Sequence, residues 1–106
     1  MSIISERDFQ DQIIELAHIY GWAVAHFRPA MKQDGSWRTA VSADGTGFPD
    51  LVLVRSPRLI FAEVKSEEGK VTSEQSSWLR NLAAAKQDVY LWRPSDWEGI
   101  VEVLKR

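Results

Sequence analysis

The stretch from Asp50 to Trp92 constrains the fold more than any other part of the chain. Two runs rich in branched and aromatic residues, Asp50 to Arg55 (DLVLVR) and Leu59 to Lys65 (LIFAEVK), flank Ser56-Pro57, a turn signal, and predict an antiparallel hairpin. Glu67 to Lys70 (EEGK) is a polar turn. Thr72 and Gln75 then stand at the T-x-x-Q spacing of a capping box, in which each side chain satisfies a backbone N–H of the other residue. They open a helix that carries Trp78, Leu79, Leu82 and Ala83 on one side and frays near Lys86. Val89 to Trp92 (VYLW) is a short strand closed by Pro94, because proline cannot donate to a ladder. Strand, helix and strand in that order predict a right-handed crossover that lays the two strands parallel.

The flanking segments complete the pattern. Phe9, Ile13, Leu16, Ala17 and Tyr20 recur at helical spacing behind Ser5, an N-cap residue, and Gly21 ends this first helix, which spans about Glu6 to Tyr20. Trp22 to Phe27 (WAVAHF) reads as a strand. From Arg28 to Gly47 periodicity disappears, and Pro29, Gly35, Gly45 and Gly47 predict a long loop or an irregular hairpin. Loops of that length in small domains are often functional. At the other end Ser95 and Glu98 repeat the capping spacing, and Trp97, Ile100, Val101 and Leu104 share one face of a terminal helix. The order α-β-β-β-α-β-α predicts an α/β fold, a mixed sheet flanked by helices, with residues 1–106 forming one domain.

Composition removes several classes of function. With no cysteine, disulfide frameworks, zinc-thiolate sites and cysteine nucleophiles are excluded. The start MSIISERDFQ has no basic region followed by an apolar stretch, and no run approaches the roughly 18 apolar residues that span a bilayer, so a cytoplasmic protein with no membrane partner is expected. Thirteen Lys and Arg against fifteen Asp and Glu leave a formal charge of -2, which argues mildly against a nucleic-acid partner until the positions of the charges are considered.

Alternation along the second hairpin strand puts Leu59, Phe61, Glu63 and Lys65 on one face and Ile60, Ala62 and Val64 on the other. Both faces begin apolar, which predicts a central, buried strand with Glu63 and Lys65 emerging at its C-terminal end. If the hairpin closes symmetrically about Ser56-Pro57, Asp50 falls opposite Glu63, with Cβ atoms about 5 Å apart. Carboxylates that close repel, raising a pKa unless a cation lies between them. Lys65 neutralises one, and a divalent metal with oxygen ligands settles the rest, since Mg²⁺ is typically held by one or two carboxylates plus phosphate oxygens and waters. The same residues also read as a surface ion cluster, which is common and energetically slight. The apolar strand they terminate, and the Pro-Asp that introduces the partner strand, weigh against that.

Other residues stay open to two readings. At about 100° per residue, Glu6 falls within the arc of Phe9, Ile13, Ala17 and Tyr20, with Gln10 one turn on. An inward-facing carboxylate explains this, and so does a first-turn acid favoured by the helix dipole. The capping box alone accounts for Gln75. His18 falls on the solvent side of its helix and His26 is a lone strand histidine, and neither has a second ligand at metal-binding spacing. Trp22, Trp78, Trp92 and Trp97 sit at core positions. Trp37 lies in the long loop with Arg28, Lys32 and Arg38, a combination of cations and stacking surface suited to DNA, while a hydrophobic plug pinning the loop fits equally.

At Gly47-Phe48-Pro49-Asp50, Glu63-Val64-Lys65 and Thr72-Ser73-Glu74-Gln75, with the helical Glu6 and Gln10 and the closing Trp92-Arg93-Pro94-Ser95-Asp96-Trp97, the chain resembles the virus-type replication-repair nuclease (VRR-NUC) domains of the PD-(D/E)xK superfamily. The resemblance covers essentially the whole chain and implies a restriction-endonuclease-like fold with Mg²⁺- or Mn²⁺-dependent phosphodiester hydrolysis. It implies that Asp50 and Glu63 are metal-binding acids, that the main-chain carbonyl of Val64 is a further ligand, and that Lys65 orients or activates the attacking water. Glu6 matches the N-terminal helical acid, completing the metal shell directly or through water, and Gln75 matches a glutamine beside the site. Lys70 joins Arg28, Lys32, Trp37 and Arg38 as expected DNA contacts.

Small stand-alone nucleases similar to this chain act as homodimers on branched DNA, in the manner of Holliday junction resolvases. A four-way junction is therefore the expected substrate and a bacterial or phage-encoded enzyme the expected setting. Symmetry agrees, because a junction needs two related cuts and a two-fold dimer presents two matching sites. The alternatives are a catalytically silent DNA-binding or assembly module, and a nuclease for linear or flapped DNA. A divalent cation enclosed by Glu6, Asp50 and Glu63 would move the formal charge from -2 to about 0, so local field outweighs net charge.

Overall fold

The computed structural model describes residues 3–27, 30–31, 33–35, 37–38 and 41–106, with the backbone alone for 30–31 and 37–38. Helix α1 (Glu6–Ile19) starts where Ser5 Oγ accepts the Asp8 N–H at 3.1 Å. It ends at Tyr20, and Gly21 turns the chain at φ +86°, a conformation that glycine adopts without steric penalty. Strand β1 (Ala23–His26) follows. Beyond it, β2 (Ala30–Met31) pairs antiparallel with β3 (Trp37–Arg38). Of the expected DNA contacts, Arg28 and Lys32 and the side chains of Trp37 and Arg38 lie outside the described residues.

The main sheet has the order β1-β4-β5-β6, with β4 (Leu51–Arg55), β5 (Arg58–Val64) and β6 (Asp88–Trp92). β4 and β5 pair antiparallel in the symmetric register, Leu51 opposite Ala62 and Arg55 opposite Arg58, so Asp50 and Glu63 are the next positions beyond the last rung. The crossover through α2 (Ser73–Ala84) brings β6 back parallel to β5. The capping box at its start forms as the spacing requires, with Thr72 Oγ1 accepting the Gln75 N–H and Gln75 Oε1 accepting the Thr72 N–H.

Leu51, Leu53, Ile60, Ala62 and Val64 point to one face and form a single core with Phe9, Ile13 and Ala17 of α1 and with Ile100 and Leu104 of α3 (Trp97–Lys105). Arg55 ties the open end of this layer together. Its guanidinium donates to the carbonyls of Tyr20, Leu104 and Arg106 at 2.9, 3.0 and 2.9 Å, satisfying helix-terminal acceptors that lack intrahelical partners. It also stacks, as Arg58 does, on the Trp22 ring, whose indole N–H donates to the Leu104 carbonyl at 2.9 Å.

Two expectations are corrected. β5 is central and buried on both faces at its Ala62–Val64 end, but not where it begins: α2 packs toward β6 and has no fully buried residue, leaving Ala83, Leu59 and Val54 exposed. Nor does Ser95 cap the terminal helix. A 3₁₀ turn (Pro94–Asp96) precedes α3, the Arg93 N–H donates to Asp96 Oδ2 at 2.8 Å, and Ser95 bonds instead to the distant carboxylate of Glu67.

Candidate active site

The site forms where β4 begins and β5 ends, and the approach to Asp50 is tightly fixed. Gly47 has φ +85°, and a Cβ there would lie 2.7 Å from the backbone and Cβ carbons of Glu74 and 2.8 Å from the Gln75 nitrogen. Only glycine lets the loop cross the start of α2 at this distance. The next ring, Phe48, meets Phe27, Phe61 and Trp78 edge-on with centroids 5.7, 6.0 and 5.1 Å away, and Pro49 is buried. Asp50 is thereby delivered to the sheet edge, where Oδ2 accepts the Val64 N–H at 3.0 Å.

Glu63 is 1% exposed, and its Oε2 lies 3.8 Å from the Lys65 ammonium while Oε1 has no hydrogen-bond partner among the described residues. Burial, more than any neighbour, pushes its carboxyl from 4.5 up to about 8; the charge of Asp50 and a hydrogen bond to Asp50 add to this, Lys65 opposes it, and Glu6 contributes weakly. At neutral pH the Glu63 carboxyl therefore tends to keep its proton. A buried acceptor without a partner, a second carboxylate against it and a lysine at the rim make a pocket of hard oxygen donors, which fits Mg²⁺ or Mn²⁺.

The remaining predicted residues stand farther out. Glu6 is exposed in the first turn of α1, although its charge is felt at Glu63, and the residue that α1 buries on that arc is Gln10, at 8% exposure. Among the described residues no group of three or more His, Cys, Asp or Glu is placed to hold a metal. Gln75 spends its side-chain oxygen on the capping box while its backbone lies under Gly47. Lys70 and His18 are exposed and His26 is half-buried. A cleft of about 740 Å³ lies between residues 43–46 and α2; among the described residues Asp44 and Glu74 line it and no cation does, so their charge does not suit it to a phosphate. The turn that follows Lys65 is legible as the polar EEGK stretch, but Arg93 and Ser95, which hold it from far along the chain, carry no local signal for that role.

A hairpin and a parallel crossover strand under two helices, with two acids and a lysine at the end of the hairpin, is the architecture of restriction-endonuclease-like nucleases. The family model of the VRR-NUC domain matches residues 24–96, more than half of the chain, and the protein belongs to that family of nuclease domains. Asp50, Glu63, Lys65 and Gln75 fall inside the matched span and Glu6 outside it. Neither the curated proteins nor the solved structures gave a match.

Proposed function

We propose that the protein is a Mg²⁺- or Mn²⁺-dependent DNA endonuclease that cuts branched substrates, four-way junctions among them, as a homodimer in the bacterial or phage-infected cytoplasm. The observation that carries this reading is the buried Glu63 carboxyl, lodged against Asp50 with one oxygen unpartnered and the Lys65 ammonium beside the other. Asp50, Glu63 and the Val64 carbonyl would hold the cation, with Glu6 completing its shell directly or through water. Bound there, a divalent cation supplies an acidified water and polarises the scissile phosphate. Glu63 must give up its proton to accept it. Lys65, held at the rim, stabilises charge developing on the phosphate oxygens. Gln75 and the loop above it border the site. Lys70, with Arg28, Lys32, Trp37 and Arg38, would contact the DNA backbone and bases.

The test is a cleavage panel of four-way, flapped, single-stranded and linear DNA with Mg²⁺ or Mn²⁺. Junction cleavage is expected, lost in folded Asp50→Ala and Lys65→Ala variants. Cleavage confined to linear or flapped DNA would replace the junction assignment, and tight junction binding with no turnover in any metal would make the protein a binding module.

A further inference from the structure

Three features around Lys65 converge. Its backbone N–H donates to the Trp92 carbonyl at 3.0 Å, joining the end of β5 to β6. The chain then folds back on itself over residues 66–69, with the Gly69 N–H donating to the Ser66 carbonyl at 3.2 Å. A Cβ at Gly69 would lie 3.5 Å from Lys65 Cδ, so this turn runs beside the aliphatic stem of Lys65, whose side chain is only 12% exposed.

The turn is gripped from β6. Arg93 Nη1 donates to the carbonyls of Ser66, Glu67 and Gly69 at 2.8, 3.1 and 2.8 Å. The Glu67 carboxylate reaches back, Oε1 accepting the Ser95 N–H at 2.8 Å and Oε2 the Ser95 hydroxyl at 2.7 Å. Those bonds, with a smaller effect from Arg93, hold Glu67 below its ordinary carboxylate range. Asp96 fixes the backbone that carries the guanidinium. These are charge-assisted bonds, and all of them end on residues within four positions of Lys65 or on the segment that grips them.

We propose that Arg93 and the Glu67–Ser95 pair are positioning residues for Lys65: they press the 66–69 turn onto its stem and so hold the ammonium beside Glu63. The proposal rests on the nuclease reading for its consequence in turnover but not for the packing it describes. A lysine cannot replace Arg93: all three bonds leave the single nitrogen Nη1, and a lysine stem is one heavy atom shorter, so its ammonium falls short of the place from which the three carbonyls are reached.

The experiment measures the rate at which acetic anhydride acetylates Lys65 relative to Lys105, whose side chain is 55% exposed, by peptide mass spectrometry of the intact folded chain. Arg93→Ala, Arg93→Lys and the exposed Glu67→Ala are compared with the unaltered protein, and steady-state cleavage is followed in parallel. The expected result is Lys65 acetylation that is slow in the unaltered protein and several-fold faster in all three variants, with kcat falling by up to about 100-fold and KM unchanged, as a small misplacement of a reacting group produces. Unchanged Lys65 acetylation in folded variants overturns the proposal, and so does faster acetylation with kcat untouched. If the unaltered protein cuts no DNA, the nuclease reading fails while the acetylation ratio still decides whether Arg93 and Glu67 hold Lys65. Glu67→Ala keeps the test decisive if Arg93→Ala does not fold.

Discussion

The Asp50 carboxylate accepts the backbone N–H of Val64 at 3.0 Å, so the acid that arrives from the Gly47 loop is bonded to the strand that carries Glu63 and Lys65. Charge and hydrogen bond are separable here. Asp50→Asn keeps an acceptor for Val64 and should fold with near-unaltered stability, whereas Asp50→Ala leaves a donor unpaired and should lose about 1–3 kcal/mol by denaturant unfolding. Both should lose cleavage. In Asp50→Asn the Glu63 carboxyl, followed by carbon NMR, should titrate below about 8, because the neighbouring negative charge that raises it is gone.

Stability of the metal-free protein should carry the signature of Glu63. Its folded-state value lies above its ordinary 4.5, so the folded form holds the proton more tightly than the unfolded chain does. The stabilisation is complete below about pH 4.5 and is lost as pH rises through about 8. Each tenfold difference in proton affinity is worth about 1.4 kcal/mol, so the loss amounts to a few kcal/mol. Glu63→Gln, neutral at every pH, should remove this slope. Subtracting its unfolding free energy from that of the unaltered protein between pH 4 and 9 isolates the contribution, and a flat difference would contradict it.

Divalent metal should reverse that slope. A cation that binds only the folded state adds about 2.7 kcal/mol at a hundredfold excess over its Kd. Because Glu63 must release its proton, the thermal shift produced by Mn²⁺ or Mg²⁺ should grow from pH 6 to pH 8.5. Glu63→Gln and Asp50→Ala should show little shift at either pH.

Gly47→Ala tests how the site is built rather than what it binds. The added Cβ would meet Glu74 backbone and Cβ carbons at 2.7 Å, and alanine disfavours φ +85°, so the Gly47 loop must lift off α2. A loss of about 1–3 kcal/mol is expected, with Asp50 displaced and cleavage lost. Gly35, also at positive φ but with no described residue within 4 Å of an added Cβ, should tolerate alanine with the smaller conformational cost alone.

How much of this was legible in the sequence depended on the range of the interaction. The hairpin register followed from two apolar runs around a short turn, and it placed Asp50 beside Glu63 because symmetric closure fixes every pair at once. The Thr72–Gln75 box was legible because both bonds close within three residues. Ser95 was misread for the same reason in reverse: local spacing offered Glu98, while the carboxylate that binds it is 28 positions away. Alternation showed which face Leu59 occupies but not that α2 leaves the Leu59 end of that face exposed. For Glu6 the helical arc gave a direction, yet the first turn lies at the rim, and burial falls on Gln10 one turn deeper. Nothing periodic marks the 28–47 segment, so its expected DNA contacts could not be ordered from sequence.

The most direct measurement is single-turnover cleavage of a four-way junction by the purified protein in Mn²⁺, alongside Asp50→Asn, which retains the Val64 hydrogen bond but not the charge. Paired incisions that require the metal and vanish in the folded Asp50→Asn variant are the predicted result. Cleavage that persists in that variant, or that proceeds equally in EDTA, would contradict a metal site built on Asp50 and Glu63.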